Sequence, residues 1–415
     1  MNSKVSLLDK CHVNSNIDID TFVGIKMEEG DVKISFPLGY NISKDEKELR
    51  KEILNLLDVL SKFTDKKQSI VNDKFNNSKS FKSFPVSSYL KIILNYLNRG
   101  YYYENEVRYK VAKHGKINWS KTIKTQKVYI RENEAYYFDF VVKDNRVKKD
   151  ALITQIHEYC VYESFTKLGW LYTNFVPMKP HIKFNKQMFL SIIRERMEQT
   201  FNDEIRELFL AMINIIKSIS EDEDNNSFMF GTNRFEYVWE KIIDTVYGIN
   251  NKEEYFPKTT WELEYNNDRE NNALEPDTIM IVNNKIYVLD AKYYKYGATK
   301  IAAHLPNSAS INKQITYGEY ISQNKKFEKI YNAFIMPYDK NKKIFLGNED
   351  YKFIGTAKSQ WKKNNKSYEC VQGILLDVKH IMNNYSRLNM QEIEKLSQLI
   401  EKNDKINIDK YKSKI

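Results

Sequence analysis

Cysteine and histidine are scarce in this chain, which has three cysteines and six histidines among its 415 residues. The cysteines lie far apart and form no Cys-x-x-Cys pair, and the histidines show no metal-ligand spacing. These absences exclude a disulfide framework and a zinc site built from these residues. They indicate a reducing compartment, and we expect a bacterial cytoplasmic protein.

Long apolar runs are also missing. None approaches the roughly 18 residues that predict a membrane-spanning helix, so we expect no membrane association. The N-terminus lacks an apolar core followed by a small-residue cleavage site, which argues against a signal peptide. The motif Gly-x-x-x-x-Gly-Lys-Ser/Thr is absent too. We therefore expect this chain to bind no nucleotide through a phosphate loop.

The composition is that of a folded protein, with 42% hydrophobic and 13% aromatic residues. The length exceeds one ordinary hydrophobic core, which predicts two domains. The formal net charge of +10 suits a polyanionic partner such as nucleic acid. A lysine-rich coding bias produces the same charge, so the charge alone does not identify a partner.

The order of sequence patterns predicts a mixed α/β protein. The acidic run "SEDEDNN", residues 220–226, is the best linker candidate. We therefore predict an N-terminal α+β domain over 1–225, a second domain over 226–400 and a basic tail over 401–415. The N-terminal domain is a candidate for engaging a partner protein or DNA.

Local periodicity predicts several elements of the N-terminal part. Weak alternation over residues 19–40 indicates short strands, and an apolar stripe indicates a helix over 44–63. The basic segment 101–143 is strand-rich, with a hairpin that turns at 132–134. Residues 186–220 read as one long helix or as two helices with a break.

The stretch "ALEPDTIMIVNNKIYVLDAKYYKYG" contains two apolar runs around Asn283 and Asn284, which suit a two-residue hairpin turn. Pairing outward from this turn sets Asp277 opposite Asp290, with Lys292 on the same face. Side chains opposite each other lie about 4.5–5.5 Å apart at Cβ, where two carboxylates repel. A divalent cation such as Mg²⁺ removes that repulsion. The same face carries the apolar residues Ile279, Ile281, Ile286 and Val288.

The pattern acid-x-Lys is by itself common in this chain, and most copies suit charged strand ends. Asp377 in "GILLDVK" is the most serious competitor, because it also ends an apolar strand. Only residues 276–292 combine Pro-Asp, two β-rich runs, a tight turn and Asp-Ala-Lys. The other matches begin at Asp31, Asp65 and Asp350.

Helical patterns flank the hairpin on both sides. In "RFEYVWEKIIDTV", Glu236 lies at the edge of the apolar stripe and Glu240 lies farther round, and either could be an ordinary solvated acid. In "INKQITYGEYI", Gln314 and Tyr317 share one helix face, where they could steady the lysine, contact phosphate or be plain surface residues. Lys313 beside them is a candidate phosphate contact.

Glutamate, Pro-Asp, Asp-x-Lys and Gln-x-x-Tyr in this order resemble the PD-(D/E)XK nuclease superfamily. More narrowly, "FEYVWEKII", "PDTIMIV", "IYVLDAKYY" and "LPNSASINKQITYGEYI" resemble the LlaJI family of restriction endonucleases. These are relatives of McrC, the nuclease subunit of McrBC-type systems. "GKINWSKTI" and "ITQIHEYCVYESFTKLGW" are also similar to segments of that family, so the resemblance covers residues 100–380.

The resemblance implies a C-terminal PD-(D/E)XK domain that hydrolyses phosphodiester bonds with Mg²⁺, for which Mn²⁺ is a possible substitute. Asp277, Asp290 and the Ala291 carbonyl match the metal-binding positions, and Lys292 matches the lysine that positions the attacking water. The helix acid, a further metal ligand, matches Glu236 or Glu240. The remaining catalytic candidates, Gln314 and Tyr317, depart from the longer Gln-x-x-x-Tyr spacing of some branches. The implied partners are double-stranded DNA and a separate AAA+ GTPase of McrB type.

The segment from Arg108 to Arg131 interleaves lysines with Tyr109 and Trp119. It could bind a DNA backbone, dock on the partner ATPase or form a solvated sheet face. We expect Trp119 to lie in the core. The candidate nucleic-acid contacts of this segment are Lys110, Lys113, Lys116, Lys121 and Lys124, and Lys127 continues the series.

Three functional hypotheses remain open from the sequence. The first is a Mg²⁺-dependent endonuclease subunit that works with a nucleotide-driven partner. The second is a binding module with a nuclease fold that does not cleave. The third is a stand-alone restriction endonuclease that recognises its own site.

Overall fold

In a computed structural model, the chain folds into two compact units. The core unit consists of residues 1–84 and 225–415, and the inserted unit consists of residues 85–224. The structure describes residues 6–16, 20–28, 31–63, 84–219, 227–363 and 365–412.

The described residues form helices and strands as follows. The helices are α1 (Glu46–Phe63), α2 (Val86–Arg99), α3 (Trp119–Thr125), α4 (Leu152–Leu168), α5 (Lys186–Gln199), α6 (Asp203–Ser218), α7 (Phe235–Tyr247), α8 (Tyr296–Thr299), α9 (Ser308–Asn324), α10 (Val378–Asn383) and α11 (Met390–Lys412). The strands are β1 (Cys11–Val13), β2 (Val23–Glu28), β3 (Asp31–Phe36), β4 (Glu104–Ala112), β5 (Lys116–Ile117), β6 (Tyr129–Arg131), β7 (Glu134–Tyr136), β8 (Phe140–Lys148), β9 (Phe228–Thr232), β10 (Thr260–Trp261), β11 (Arg269–Glu270), β12 (Thr278–Val282), β13 (Lys285–Ala291), β14 (Lys329–Tyr338), β15 (Tyr351–Lys358) and β16 (Cys370–Asp377).

A five-stranded mixed sheet with the order β12-β13-β14-β16-β15 forms the centre of the core unit. Strands β13, β14 and β16 are parallel, and the two outer strands are antiparallel to their neighbours. The central strand β14 is buried along nearly its whole length, as its apolar sequence requires. On one face, Tyr317 and Ile321 of α9 pack against Ile279, Ile286 and Val288 of the hairpin.

A second sheet in the core unit has the order β1-β3-β2-β9. Strands β2 and β3 confirm the strands predicted between residues 19 and 40, and α1 confirms the helix predicted over 44–63. Strand β2 pairs with β9, which aligns Val23 with Thr232. The N-terminal segment is thereby joined to the chain that leads directly into α7.

The inserted unit combines helices α2, α4, α5 and α6 with a strand-rich arm, residues 104–148. The arm confirms the predicted hairpin, whose turn lies at Glu132 and Asn133, both with positive φ. The segment predicted as one or two helices forms two. Asn202 lies between the two helices and caps the N-terminus of α6, because its side chain accepts a hydrogen bond from the Ile205 amide.

The mixed α/β class is confirmed, but the division of the chain differs from the one we expected. Residues 1–84 cluster with the C-terminal half instead of forming one domain over 1–225. Sheet pairing between distant segments causes this, and local periodicity does not reveal such pairing. Phe84 and Phe228 stack with ring centroids 3.9 Å apart, so the chain leaves and re-enters the core unit at one place. The predicted linker over 220–226 lies outside the described residues.

The basic tail predicted for residues 401–415 also needs correction. Helix α11 continues to Lys412, and its residue Glu401 accepts hydrogen bonds from Lys285 and Tyr287 on β13. Ile400 and Asn403 are buried. The first part of the predicted tail therefore packs on the sheet, because α11 continues and Glu401 bonds to β13.

Candidate active site

The hairpin formed by β12 and β13 has the register that the sequence predicted. Asn283 and Asn284 both have positive φ in the turn, which asparagine tolerates better than most residues. Pairing runs outward from Val282 and Lys285 to Thr278 and Leu289. The next residues outward are Asp277 and Asp290, so the two acids meet at the open end of the hairpin.

The carboxylates of Asp277 and Asp290 are close together in a buried environment. Burial, reinforced by the neighbouring Asp290 carboxylate, raises the pKa of Asp277 to about 8. Asp277 Oδ2 accepts a hydrogen bond of 2.9 Å from the Ala291 amide, which fixes one of its oxygens. Asp290 is only 6% exposed. This pair is electrostatically unfavourable unless it shares a proton or a cation.

Lys292 lies beside the pair, directly after β13. Its Nζ atom is 2.7 Å from Asp290 Oδ1, although that oxygen has no partner with hydrogen-bond geometry. Burial alone would lower the pKa of Lys292, but the Asp290 carboxylate outweighs it and raises that pKa. The Lys292 amide donates to the Ile335 carbonyl of β14. The lysine is therefore a charged, half-buried group held at the edge of the acid pair.

The neighbours of Glu236 and Glu240 distinguish the two helix acids. Burial raises the pKa of Glu240, while the charge of Lys292 lowers it and that of Asp290 raises it. Glu240 therefore interacts electrostatically with the charged groups of the site. Glu236 instead forms an ion pair with Arg234, with Arg234 Nε 3.0 Å from Glu236 Oε1 and 39% of the glutamate side chain exposed. The sequence left Glu236 and Glu240 open as the helix acid, since an apolar stripe does not show which helical turn faces the site. The electrostatic interaction with Lys292 and Asp290 is seen at Glu240.

Gln314 and Tyr317 do not point into solvent toward a phosphate. Gln314 is fully buried, and its Nε2 donates to the Val288 carbonyl on β13 at 2.7 Å. The Tyr317 hydroxyl donates to the Glu275 carbonyl at 2.9 Å, just before the Pro-Asp dipeptide. Gln314 therefore holds the main chain of β13 near Asp290, and Tyr317 holds the main chain just before Asp277. They are positioning residues in this geometry.

The residues of the site fit a magnesium ion held by two carboxylates. Asp277 and Asp290 offer hard oxygen ligands, and the Ala291 carbonyl lies between Asp290 and Lys292 in the chain. The raised pKa of Asp277 shows that the site carries more negative charge than Lys292 offsets, and a bound cation would neutralise that charge. Within the described ranges, no group of three or more Asp, Glu, His or Cys side chains is arranged to hold a metal ion. Mg²⁺ commonly retains several water ligands, so a two-carboxylate set suffices.

The arm of the inserted unit carries the other predicted contacts. Its five candidate lysines are all exposed. Lys121 Nζ lies 3.4 Å from the centre of the Tyr109 ring, and Lys110 pairs with Asp144. Trp119 is 53% exposed, so the expectation that it lies in the core is wrong. The lysines are Lys110 on β4, Lys113 after it, Lys116 on β5, and Lys121 and Lys124 on α3.

Two residues that were not predicted from the sequence also support the site. Trp239 donates its Nε1 hydrogen to the Ile335 carbonyl, which also accepts from the Lys292 amide. Tyr293 is buried on the opposite side of the chain from Lys292 and packs against Phe235. The only sequence signal for Trp239 was its place in the apolar stripe of α7, and no sequence signal marked Tyr293. Lys313 is exposed on α9, and its charge lowers the pKa of Glu240.

None of the helices within the described part of the chain has the length and apolarity needed to cross a membrane.

Comparison with known proteins identifies the family. The family model described as LlaJI restriction endonuclease matches residues 22–379. The type II restriction enzyme BsuMI component YdjA of Bacillus subtilis (strain 168) is 26% identical over 377 residues, which are 82% of this chain and 77% of that protein.

Two similar solved structures come from Thermococcus gammatolerans. McrB AAA+ hexamers with bound McrC match with a TM-score of 0.38 and 16% identity over 90% of this chain and 83% of that one. The McrBC complex matches with a TM-score of 0.23 and 16% identity over 54% and 66%. Because the family model spans most of its length, this chain belongs to the LlaJI restriction endonuclease family.

Proposed function

We propose that this chain is the Mg²⁺-dependent DNA-cleaving subunit of a bacterial McrBC/LlaJI-type restriction system. It hydrolyses phosphodiester bonds of double-stranded DNA together with a McrB-like AAA+ GTPase. The observation that carries the proposal is the meeting of Asp277, Asp290 and Lys292 at the ends of β12 and β13. Membership of a restriction endonuclease family supports the same activity.

The order of elements around the site supports a PD-(D/E)XK domain. Helix α7 carries an acid, the hairpin β12–β13 carries two acids and the lysine, and α9 braces both strands of the hairpin. Strand β13 then pairs in parallel with β14, which follows α9 in the chain. Local and distant contacts thus converge on one end of β13.

The residues divide the chemistry between them. Asp277, Asp290 and the Ala291 carbonyl would hold Mg²⁺, with Mn²⁺ as a possible substitute. When bound, this ion activates a water molecule and neutralises charge on the phosphate. The Lys292 ammonium orients the attacking water and stabilises negative charge on the phosphorus oxygens. Lys313 binds a neighbouring phosphate from the exposed side of α9.

The partner assignment rests on different grounds. The Bacillus subtilis relative is named as a component of a restriction enzyme, which favours a subunit over a stand-alone enzyme. The sequence contains no phosphate-loop motif, so nucleotide hydrolysis belongs to the AAA+ partner. The exposed lysines of the arm, from Lys110 to Lys124, contact DNA phosphates without reading bases.

The decisive experiment measures cleavage of plasmid DNA by the purified chain with Mg²⁺, GTP or ATP, and the AAA+ protein encoded beside it. Asp290→Asn and Lys292→Ala should each lower the cleavage rate by at least about 100-fold, as loss of a charge-stabilising group does. Asp377→Asn is the matched control, since it changes another Asp-x-Lys triplet. It should retain nearly full activity.

Other outcomes separate the competing functions. Cleavage that survives in both the Asp290 and Lys292 variants would refute the proposed site. A complete absence of cleavage with partner, nucleotide and Mg²⁺ supplied would favour a non-cleaving binding module. Cleavage by the chain alone, without partner or nucleotide, would identify a stand-alone endonuclease.

A further inference from the structure

The main chain bends sharply immediately after Lys292. Strand β13 ends at Ala291, and the last sheet hydrogen bond runs from the Lys292 amide to the Ile335 carbonyl. The Tyr294 amide then bonds back to the Lys292 carbonyl, which closes a tight turn centred on Tyr293. Strand pairing therefore fixes the main chain up to Lys292, and contacts from other segments must fix the main chain after it.

Those contacts come from the N-terminal segment. The Tyr293 hydroxyl accepts a buried hydrogen bond of 2.6 Å from the Leu38 amide, 255 residues away in the chain. The Asn16 side chain donates from Nδ2 to the Tyr293 carbonyl at 3.3 Å. Asn16 has a positive φ of 52°, a conformation that asparagine tolerates. The side chain and the main chain of Tyr293 are thus both bound to the N-terminal segment, through Leu38 and Asn16 respectively.

The same tyrosine also contacts the helix that carries the candidate acid. Its ring lies 5.3 Å from that of Phe235 and 6.4 Å from that of Trp239, measured between centroids. Trp239 immediately precedes Glu240 and donates to the carbonyl that binds the Lys292 amide. Tyr293 therefore links the lysine, helix α7 and the N-terminal segment at one buried point.

Building on the proposed function, we propose that Tyr293 is a positioning residue for Lys292, and that the N-terminal segment completes the nuclease site by anchoring it. Tyrosine suits this role because its ring fills the space beside α7 while its hydroxyl reaches a main-chain amide. Phenylalanine keeps the ring but leaves the Leu38 amide buried without an acceptor. The turn after Lys292 then loses its connection to the N-terminal segment.

The test compares Tyr293→Phe with Tyr287→Phe in the full chain, assayed with the AAA+ partner, Mg²⁺ and plasmid DNA. Tyr287 is a matched control, because it lies on β13 just upstream of the turn, is buried and donates its hydroxyl hydrogen to Glu401. Both variants should lose similar thermal stability. Tyr293→Phe alone should lower kcat by about 10- to 100-fold, the usual cost of losing a supporting contact, with unchanged KM for DNA and unchanged half-saturating Mg²⁺.

A second measurement does not depend on activity. Hydrogen–deuterium exchange should accelerate in the peptides containing Leu38 and Lys292 in Tyr293→Phe, but not in Tyr287→Phe. If Tyr293→Phe fails to fold, Asn16→Gly removes only the bond to the Tyr293 carbonyl and keeps the positive φ. It should show a smaller kcat loss of the same type.

The proposal is overturned if Tyr293→Phe and Tyr287→Phe have the same kcat, or if exchange near Leu38 is unchanged. Failure of the proposed function looks different, because Asp290→Asn would then cleave as well as the unmodified chain. In that case the exchange experiment still decides whether Tyr293 anchors the turn.

Discussion

At the scale of single residues, the site is defined by a charge arrangement that costs stability. Two carboxylates share a buried space, and the pKa of Asp277 rises to about 8 because burial and Asp290 both oppose its ionisation. Lys292 offsets part of this repulsion through its ion pair with Asp290 and its charge beside Asp277, yet the pKa of Asp277 stays raised. Such an arrangement is characteristic of a functional site, and the Mg²⁺ ion that we propose would recover the lost free energy.

Glu240 and Glu236 provide a matched pair for testing the helix acid. Glu240→Gln should lower the single-turnover cleavage rate by about 10-fold or more, because its carboxylate senses Lys292 and Asp290. Glu236→Gln should change the rate by less than about threefold, because it removes only an exposed ion pair with Arg234. A larger loss of cleavage rate in Glu236→Gln than in Glu240→Gln would instead identify Glu236 as the helix acid.

At the scale of elements, the position of a triplet decides its role. Asp377 has the same Asp-x-Lys pattern as Asp290 and also ends a strand. Its carboxylate, however, accepts hydrogen bonds from the amides of His380 and Lys340, so it caps α10. Asp290 instead faces a second carboxylate across a hairpin. Both triplets follow the pattern Asp-x-Lys, and the neighbouring element makes one aspartate a helix cap and the other a candidate site residue.

Helix α4 contains a titratable group whose effect on stability has a definite sign. His157 is fully buried, and its Nδ1 accepts a hydrogen bond from the Tyr102 amide. Burial lowers the pKa of His157 from 6.5 to about 4. The unfolded chain therefore binds a proton at higher pH than the folded one. The contribution of His157 to the free energy of unfolding is therefore fully present above about pH 6.5, and it decreases as the pH falls toward 4.

The resulting prediction is a loss of about 2 kcal/mol between pH 7 and pH 5 from this histidine, according to the usual linkage relation. Urea unfolding at the two pH values measures it. His157→Asn keeps an acceptor for the Tyr102 amide and removes the titration, so it should lack this part of the loss. An equal pH dependence in both proteins would contradict the prediction.

At the scale of the whole molecule, the core unit is assembled from two separate stretches of chain. Strand β2 pairs with β9, and Leu38 bonds to Tyr293. The inserted unit leaves and returns near the stacked rings of Phe84 and Phe228. We therefore expect the C-terminal half to need the N-terminal residues in order to fold.

Two truncations test this dependence. Replacement of residues 85–224 by a short glycine–serine linker should leave a folded core unit with a cooperative melting transition. Residues 225–415 alone should not fold, because β9 and Tyr293 then lose their partners. Circular dichroism melts distinguish the two results. Cooperative melting of the C-terminal fragment alone would show that the N-terminal residues are dispensable for folding.

The sequence by itself determined the hairpin, its register and the positions of Asp277, Asp290 and Lys292. It did so because strand alternation and the Asn-Asn turn are local properties, each visible within a few residues. The family resemblance depended on the same local motifs. Only the tertiary structure showed that Glu240 interacts electrostatically with Lys292 and Asp290. It also showed that Gln314 is buried and donates a hydrogen bond to the Val288 carbonyl.

The tertiary structure also decided that the first 84 residues belong to the core unit, and that Tyr293 connects them to the lysine. It placed Trp119 at the surface, against expectation. These results depend on pairs of residues that are distant in the chain. Such contacts leave no periodic signal in the sequence, because neither residue of a pair differs from an ordinary apolar or polar residue in its local sequence. Only folding brings the two together.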